Sequence, residues 1–162
     1  METNAQVAFP SVAWFQALQA RMNSQQEKYR DFGFAECKGV FRITPDSVSG
    51  KTRSFGVTFS TYECTEVCEL GEAELSAYDA DWVLEGPFKA WAEMIANIKV
   101  HGKADSDHTL NRLSLLQHPF RIGGSDQTRT DIFFRQQLTF QEFIDESAAV
   151  ATVAASLQGA KA

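Results

Sequence analysis

Apolar and polar residues change period several times along the chain, and the sharpest change falls within residues 80–95. Trp82 and Leu84 alternate with Val83 and Glu85, the two-residue period of a strand, until Gly86-Pro87 interrupts it. Phe88, Trp91, Ala92, Ile95 and Ile98 then recur at three- and four-residue spacing, which predicts a helix from Pro87 to about His101 with Gly102 as its stop. Proline suits the first helical position because the N–H it lacks would have no partner there. A strand that delivers indole rings beside such a face builds either a large core or the wall of an apolar pocket.

Upstream, residues 1–8 show no periodicity and read as a frayed leader. Val12, Phe15, Leu18 and Met22 mark the apolar stripe of a helix beginning after Ser11, with Trp14 and Ala17 at its margins. Gln25 to Asp31 extends it as a second short helix, with Gly33 as a C-terminal cap. Residues 35–70 read as a β-meander: Val40, Phe41 and Ile43 precede turn chemistry at Pro45–Gly50, and Phe55, Val57 and Phe59 alternate with Gly56, Thr58 and Ser60. Cys64–Leu70, studded with Glu66 and Glu69, is an edge-strand candidate. Gly71–Ala77 reads as loop or one helical turn.

Downstream, Asp105 or Asp107 caps a short helix along Leu110, Leu113 and Leu116, although Ile98–His101 also fits a strand. Phe120 and Ile122 mark the last expected strand. Ile132, Phe133, Phe134 and Leu138 lead into a helix whose start is expected at Thr139, capped with Glu142. The domain is therefore residues 9–147, and residues 148–162 form an Ala-rich helical extension or tail in which Val150, Val153 and Leu157 keep helical spacing.

Composition narrows the class. At 162 residues, with 44% hydrophobic and 12% aromatic positions and thirteen Phe against three Tyr, the chain is one domain with an interior rich in rings that carry no polar handle. The longest apolar runs are too short to span a bilayer, and the N-terminus lacks the order of a signal peptide. Three cysteines leave at least one unpaired, which fits a reducing, cytoplasmic location. Net charge is −6 and uneven: between Arg53 and Lys89 there are eight acids and no base. That belt would repel nucleic-acid phosphates and anionic headgroups, and it reads first as a solvated edge.

No common catalytic or phosphate-binding motif occurs. Cys64-x-x-x-Cys68 with His101, His108 or His118 would be a metal set only if the thiols converged. On a strand they lie more than ~12 Å apart, so buried structural thiols are the better reading and neither metal nor cofactor is expected. Asp105, Asp107 and His108 read as a helix cap rather than an acid–base group.

From Asp81 to about Ser147 the chain resembles the sterol carrier protein 2 type of lipid-binding domain. The resemblance rests on Trp82-Val-Leu-Glu-Gly-Pro-Phe-Lys-Ala-Trp-Ala-Glu-Met-Ile, a strand turning into a Trp-containing helix, on the later Pro119-Phe-Arg-Ile-Gly-Gly, and on the helical sequence after it. It departs from the family at Gln117-His118, where Gly-Lys is usual, and in a longer connection over His101–Asn111. The resemblance implies an α+β fold: a roughly five-stranded sheet with helices on one face and an apolar cavity between them. It also implies non-catalytic carriage of a sterol, fatty acyl or terpenoid-like molecule. Faces and spacing nominate Phe59, Trp82, Phe88, Trp91, Ile95, Leu113, Leu116, Phe134 and Phe143 as the wall. The C-terminal stripe permits a homodimer without requiring one. The alternative is a small cavity enzyme of the cyclase, dehydratase or isomerase kind, with Asp79, Asp81, His101 and Tyr62 as the residues to suspect.

Overall fold

The structure, a computed structural model, describes residues 6–46 and 50–154. Its centre is a five-stranded mixed sheet of β2 (Ala35–Thr44), β3 (Arg53–Thr61), β4 (Glu63–Leu70), β5 (Trp82–Pro87) and β6 (Arg121–Gly123), in the order β4-β3-β2-β5-β6. Within this sheet β5 runs parallel to β2, and the other three pairings are antiparallel. Registers Phe41↔Phe55 and Phe41↔Leu84 set the side chains of three strands side by side. Because side chains alternate along a strand, Ala35, Cys37, Phe41 and Ile43, Phe55, Val57 and Phe59, and Trp82 and Leu84 all fall on one buried face.

Four helices cover that face: α1 (Val12–Asn23), α4 (Phe88–His101), α6 (Gln127–Arg135) and α7 (Gln137–Asp145). Phe15 stacks on Phe55 with ring centroids 4.8 Å apart, Trp91 meets Phe41 edge to face at 5.8 Å, and Phe143 stacks on Phe41 at 6.3 Å. Burial of rings on this scale supplies most of the force that holds helices to sheet. Short helices α2 (Gln26–Arg30) and α5 (Leu110–Leu113) complete this layer. A further helix, α3 (Glu72–Tyr78), lies on the opposite face, where the Tyr78 ring fills the space above Gly56 and Lys38 Nζ sits 4.3 Å from its centre.

Several expectations need correction. Pro87 ends β5 and caps α4 instead of opening it, although the stop at Gly102, with φ of 81°, is where the pattern places it. Residues Ile98–His101 are helical. Thr109, not Asp105 or Asp107, caps α5, accepting from Arg112 N at 3.1 Å; Asp105 instead accepts from Asn97, Asp107 N and His108. The capping box expected at Thr139 does not form. Asp126 caps a helix that starts earlier, the chain breaks at Gln136, and Thr139 is buried inside α7.

The termini differ as well. Val7–Phe9 forms β1, which pairs in parallel with β7 (Thr152–Ala154), so strand replaces part of the expected leader and part of the expected helical tail. Residues 1–5 and 155–162, including Leu157, lie outside the described residues. No helix among the described residues is long and apolar enough to cross a membrane.

Candidate ligand site

The site begins with the two apolar faces of α4. Trp91, Met94 and Ile98 point into the sheet and are buried. Ala92, Ile95, Ala96 and Lys99, at i, i+3, i+4 and i+7, form an adjacent face that looks toward the β1–β7 pair. Phe9, Thr152 and Ala154 stand across from it, and Ser147 closes the inner end. The alanines leave room where larger side chains would fill it, and the result is a cleft of ≈ 260 Å³ with mostly apolar walls.

Two strands hold the outer wall in place. Val7 N donates to Ala151 O at 2.7 Å, and Trp14 Nε1 donates to Thr152 Oγ1 at 3.0 Å, so the β1–β7 seam is tied to α1. Lys99 Nζ donates to Ala148 O at 3.1 Å at the rim. Ser147 is 1% exposed and its hydroxyl has no partner among the described residues. A buried hydroxyl without a partner carries a desolvation penalty that a polar atom of a ligand would relieve.

Next to Ser147 sit two buried carboxylates of opposite character. Glu146 accepts from Arg21, Gln25, Lys28 and Tyr29. Burial alone would raise its pKa, but the hydrogen bonds from Lys28, Tyr29 and Gln25 outweigh that and hold it below the usual range. Among the described residues Asp145 accepts only from Ala104 N and Gln141 Nε2, and there burial prevails and raises its pKa. These groups fasten α7 and the turn after it to α1, α2 and the loop beyond α4.

The nine residues nominated from sequence are spread across the molecule. Ile95 lines the cleft. Phe88 is half-buried and stacks on the cleft residue Phe9 at 6.3 Å. Phe59, Trp82, Trp91 and Phe143 lie fully buried in ring-to-ring contact: Phe59 with Phe143 at 5.2 Å, Trp82 with Phe140 at 4.9 Å, Trp91 with Phe120 at 4.8 Å. Leu113 is buried beneath a loop, Leu116 is 94% exposed, and Phe134 stands half out of α6 against Phe133. Sequence reasoning did not nominate Phe9, Ala92, Ala96, Lys99, Ser147, Thr152 and Ala154. Only Ala92 and Ala96, small residues beside an aromatic face, carried a trace of signal.

The residues suspected of acid–base chemistry are engaged elsewhere. Asp79 and Asp81 clamp Arg129 at 2.7 and 2.8 Å, and Asp81 also accepts from Lys38 N at 2.8 Å, which ties the start of β5 to α6 and β2. The hydrogen bond and charge of Arg129 hold Asp79 below its ordinary pKa. His101 is exposed at the end of α4, and Tyr62 lies 5.3 Å from the Arg30 guanidinium. None of the four lines the cleft.

Among the described residues, no three His, Cys, Asp or Glu side chains gather as a metal site. Burial pushes the Cys37 and Cys64 thiols up to about 12, and Cys68, half-buried on β4, is raised less. Since only the thiolate reacts, a disulfide exchange reagent at about pH 8 should modify Cys68 first and leave Cys37 and Cys64 unreacted until the protein unfolds. Three equally fast thiols in the folded protein would contradict this burial.

Sheet order, the helical layer and the cleft define an α+β domain of the kind that packs helices over one face of a mixed sheet. Its fold is that of sterol carrier protein 2. A crystal structure of sterol carrier protein 2 superposes with a TM-score of 0.59 at 20% identity, covering 86% of this chain and 96% of the other. A solution structure of a conserved hypothetical protein from Thermus thermophilus, described as a candidate sterol carrier protein, superposes with a TM-score of 0.60 at 19% identity, covering 96% of this chain and 94% of that one. No family model matches the chain, and no curated protein sequence matches it significantly.

Proposed function

We propose that this protein binds and carries a hydrophobic small molecule, a sterol, fatty acyl or terpenoid-like compound, in the cytoplasm, without chemistry of its own. The observation that carries the reading is the cleft between α4 and the β1–β7 seam, with apolar walls and one unpartnered buried hydroxyl. The names of the structures that share the fold support it. At ~30 Å³ for a water-sized group, ≈ 260 Å³ admits roughly nine non-hydrogen atoms, so the cleft takes one end of a long ligand or the whole of a short one. Transfer of about eight methylenes at ~0.8 kcal/mol each gives an upper bound near ~6 kcal/mol before ordering costs. The polar end of such a molecule would meet Ser147 and Lys99.

Native mass spectrometry of freshly purified protein, followed by organic extraction, tests the reading. A stoichiometric apolar compound is the expected result; bare protein whose melting also ignores a broad lipid panel would overturn it. A second test fills the space. Ala96→Trp, at an exposed helical position facing the cleft, should weaken ligand retention at least ~10-fold while shifting Tm by no more than a few degrees. Undiminished retention in that variant would place the ligand elsewhere.

A further inference from the structure

The segment from α5 to β6 buries some of its apolar residues and displays others. Leu110, Leu113 and Phe120 are buried, and Phe120 N donates to Leu113 O at 2.9 Å, closing the base of a loop. At its tip Leu115 is 47% exposed and Leu116 94% exposed, followed by Gln117 in the left-handed region with φ of 69°. A base so anchored presents two adjacent leucines to water, an arrangement with no use in a core.

Charge along this segment is one-sided. Between Asp107 and Asp126 the chain has no acid, while Arg112, His118 and Arg121 flank the leucines. Arg112 and Arg121 are exposed and, among the described residues, neither makes an ion pair. The tip adjoins β6, one edge of the sheet, whereas Glu63, Glu66 and Glu69 lie on β4, the other edge. Four strand spacings of ~4.8 Å separate the edges by about 19 Å, more than two Debye lengths at physiological salt. The three acids of β4 are therefore screened from the loop, and the acids of the belt that lie nearer β6 are already paired: Glu85, opposite Arg121 across β5 and β6, with Arg42 at 2.9 Å, and Asp79 and Asp81 with Arg129 at 2.7 and 2.8 Å.

We propose that residues 112–121 dock the protein on an anionic lipid bilayer, with Leu115 and Leu116 entering the headgroup–acyl boundary and Arg112 and Arg121 meeting lipid phosphates and carboxylates. Exposed apolar side chains rimmed by guanidinium groups match the chemistry of that interface and of no bare aqueous surface. The proposal stands apart from the ligand reading, since it uses no residue of the cleft.

Co-sedimentation of the full chain with vesicles tests it. Binding should be much stronger to phosphatidylcholine vesicles containing about one quarter phosphatidylserine than to phosphatidylcholine alone, and should weaken as salt rises. Leu115→Ser with Leu116→Ser should lower binding about tenfold or more, and Arg112→Glu with Arg121→Glu should abolish the preference for phosphatidylserine. Glu66→Lys, on the far edge, should change binding less than about twofold. Equal binding to both vesicle types, or an effect of Glu66→Lys as large as that of the arginine pair, would overturn the proposal. A dimer in solution that dissolves on replacing the leucines, with no vesicle binding, would assign the tip to self-association instead. As a second readout, Leu116→Trp should show blue-shifted emission on anionic vesicles beyond that of the wild type; an unchanged spectrum counts against insertion.

Discussion

Replacing Trp82 by alanine is expected to destabilise the fold by about 3–5 kcal/mol, enough to leave a marginal domain largely unfolded at 37 °C. The indole is 0% exposed and is held by Phe41, Phe133 and Phe140 at centroid distances of 5.4, 5.1 and 4.9 Å, so its removal leaves a cavity with walls from β2, α6 and α7 at once. The same ring explains Gly39, its partner across β2 and β5. A Cβ at residue 39 would overlap Trp82 Cζ2, and the ring has nowhere to retreat. Gly39→Ala should therefore cost about 1–3 kcal/mol by overpacking, and nearly nothing when Trp82 is already alanine. Urea denaturation of the two single variants and the double variant checks both points. Additive losses would mean that the ring and the glycine are not in contact.

The second large effect is expected at Glu146, which is 4% exposed. Its Oε2 accepts from Lys28 Nζ at 2.7 Å and Tyr29 Oη at 2.7 Å, and its Oε1 accepts from Arg21 Nε at 3.0 Å. Glu146→Ala strands the buried Tyr29 hydroxyl, takes the carboxylate from Arg21 and leaves Lys28 with Glu142 at 3.3 Å. Removal of one partner of a buried pair costs ~3–5 kcal/mol, and because Arg21 and Lys28 reach solvent the lower end, about 3 kcal/mol, is expected here. The pH dependence has a definite sign. The folded-state pKa of Glu146 lies below its ordinary value of 4.5, so its contribution is complete above that pH and is lost as pH falls through the depressed value. Glu146→Gln should thus lose stability at pH 7 yet show a shallower decline between about pH 5 and pH 3. Asp145 acts oppositely: its raised pKa favours the folded state when it is protonated, and that advantage is lost as pH rises through the folded value. Asp145→Asn, which keeps an acceptor for Ala104 N, should remove this counter-slope and steepen the acid decline of the protein. Chemical denaturation at pH 7 and pH 4 distinguishes these outcomes; parallel curves for Glu146→Gln and wild type would show that Glu146 does not titrate differently on folding.

Much of the architecture was legible because it is written in local periods and punctuation. Trp82 and Leu84 alternate into β5, Gly102 stops α4 in a left-handed conformation, and Phe55, Val57 and Phe59 place one face of β3 in the core. The resemblance carried over Trp82–Ile95 anticipated the sterol carrier protein 2 type of fold. Legibility failed where two local signals competed. Thr139 with Glu142 is a sound capping pair, yet Asp126, with its side chain on Thr128 N and Arg129 N, starts a helix well before it, and the burial of Phe133 and Phe140 carries the chain past Thr139. The cleft was harder still. Nothing about Ala92 and Ala96 on their own distinguishes small residues that fill a tight contact from small residues that leave a space.

What the amino-acid order determined by itself is most of the elements, the buried face of each long strand, the aromatic interior and the acidic stretch from Glu63 to Glu85, since each follows from neighbours a few residues apart. Tertiary structure alone decided the rest. Pairing of Val7–Phe9 with Thr152–Ala154 joins the two ends of the described chain, and three-residue strands carry no period from which such a partner could be read. Strand order alone put the acids of β4 and the leucines beside β6 on opposite edges, and only the β1–β7 seam turned the second face of α4 into a cleft. Contacts between distant segments are chosen by the global minimum of burial and hydrogen bonding, which local pattern constrains but does not name.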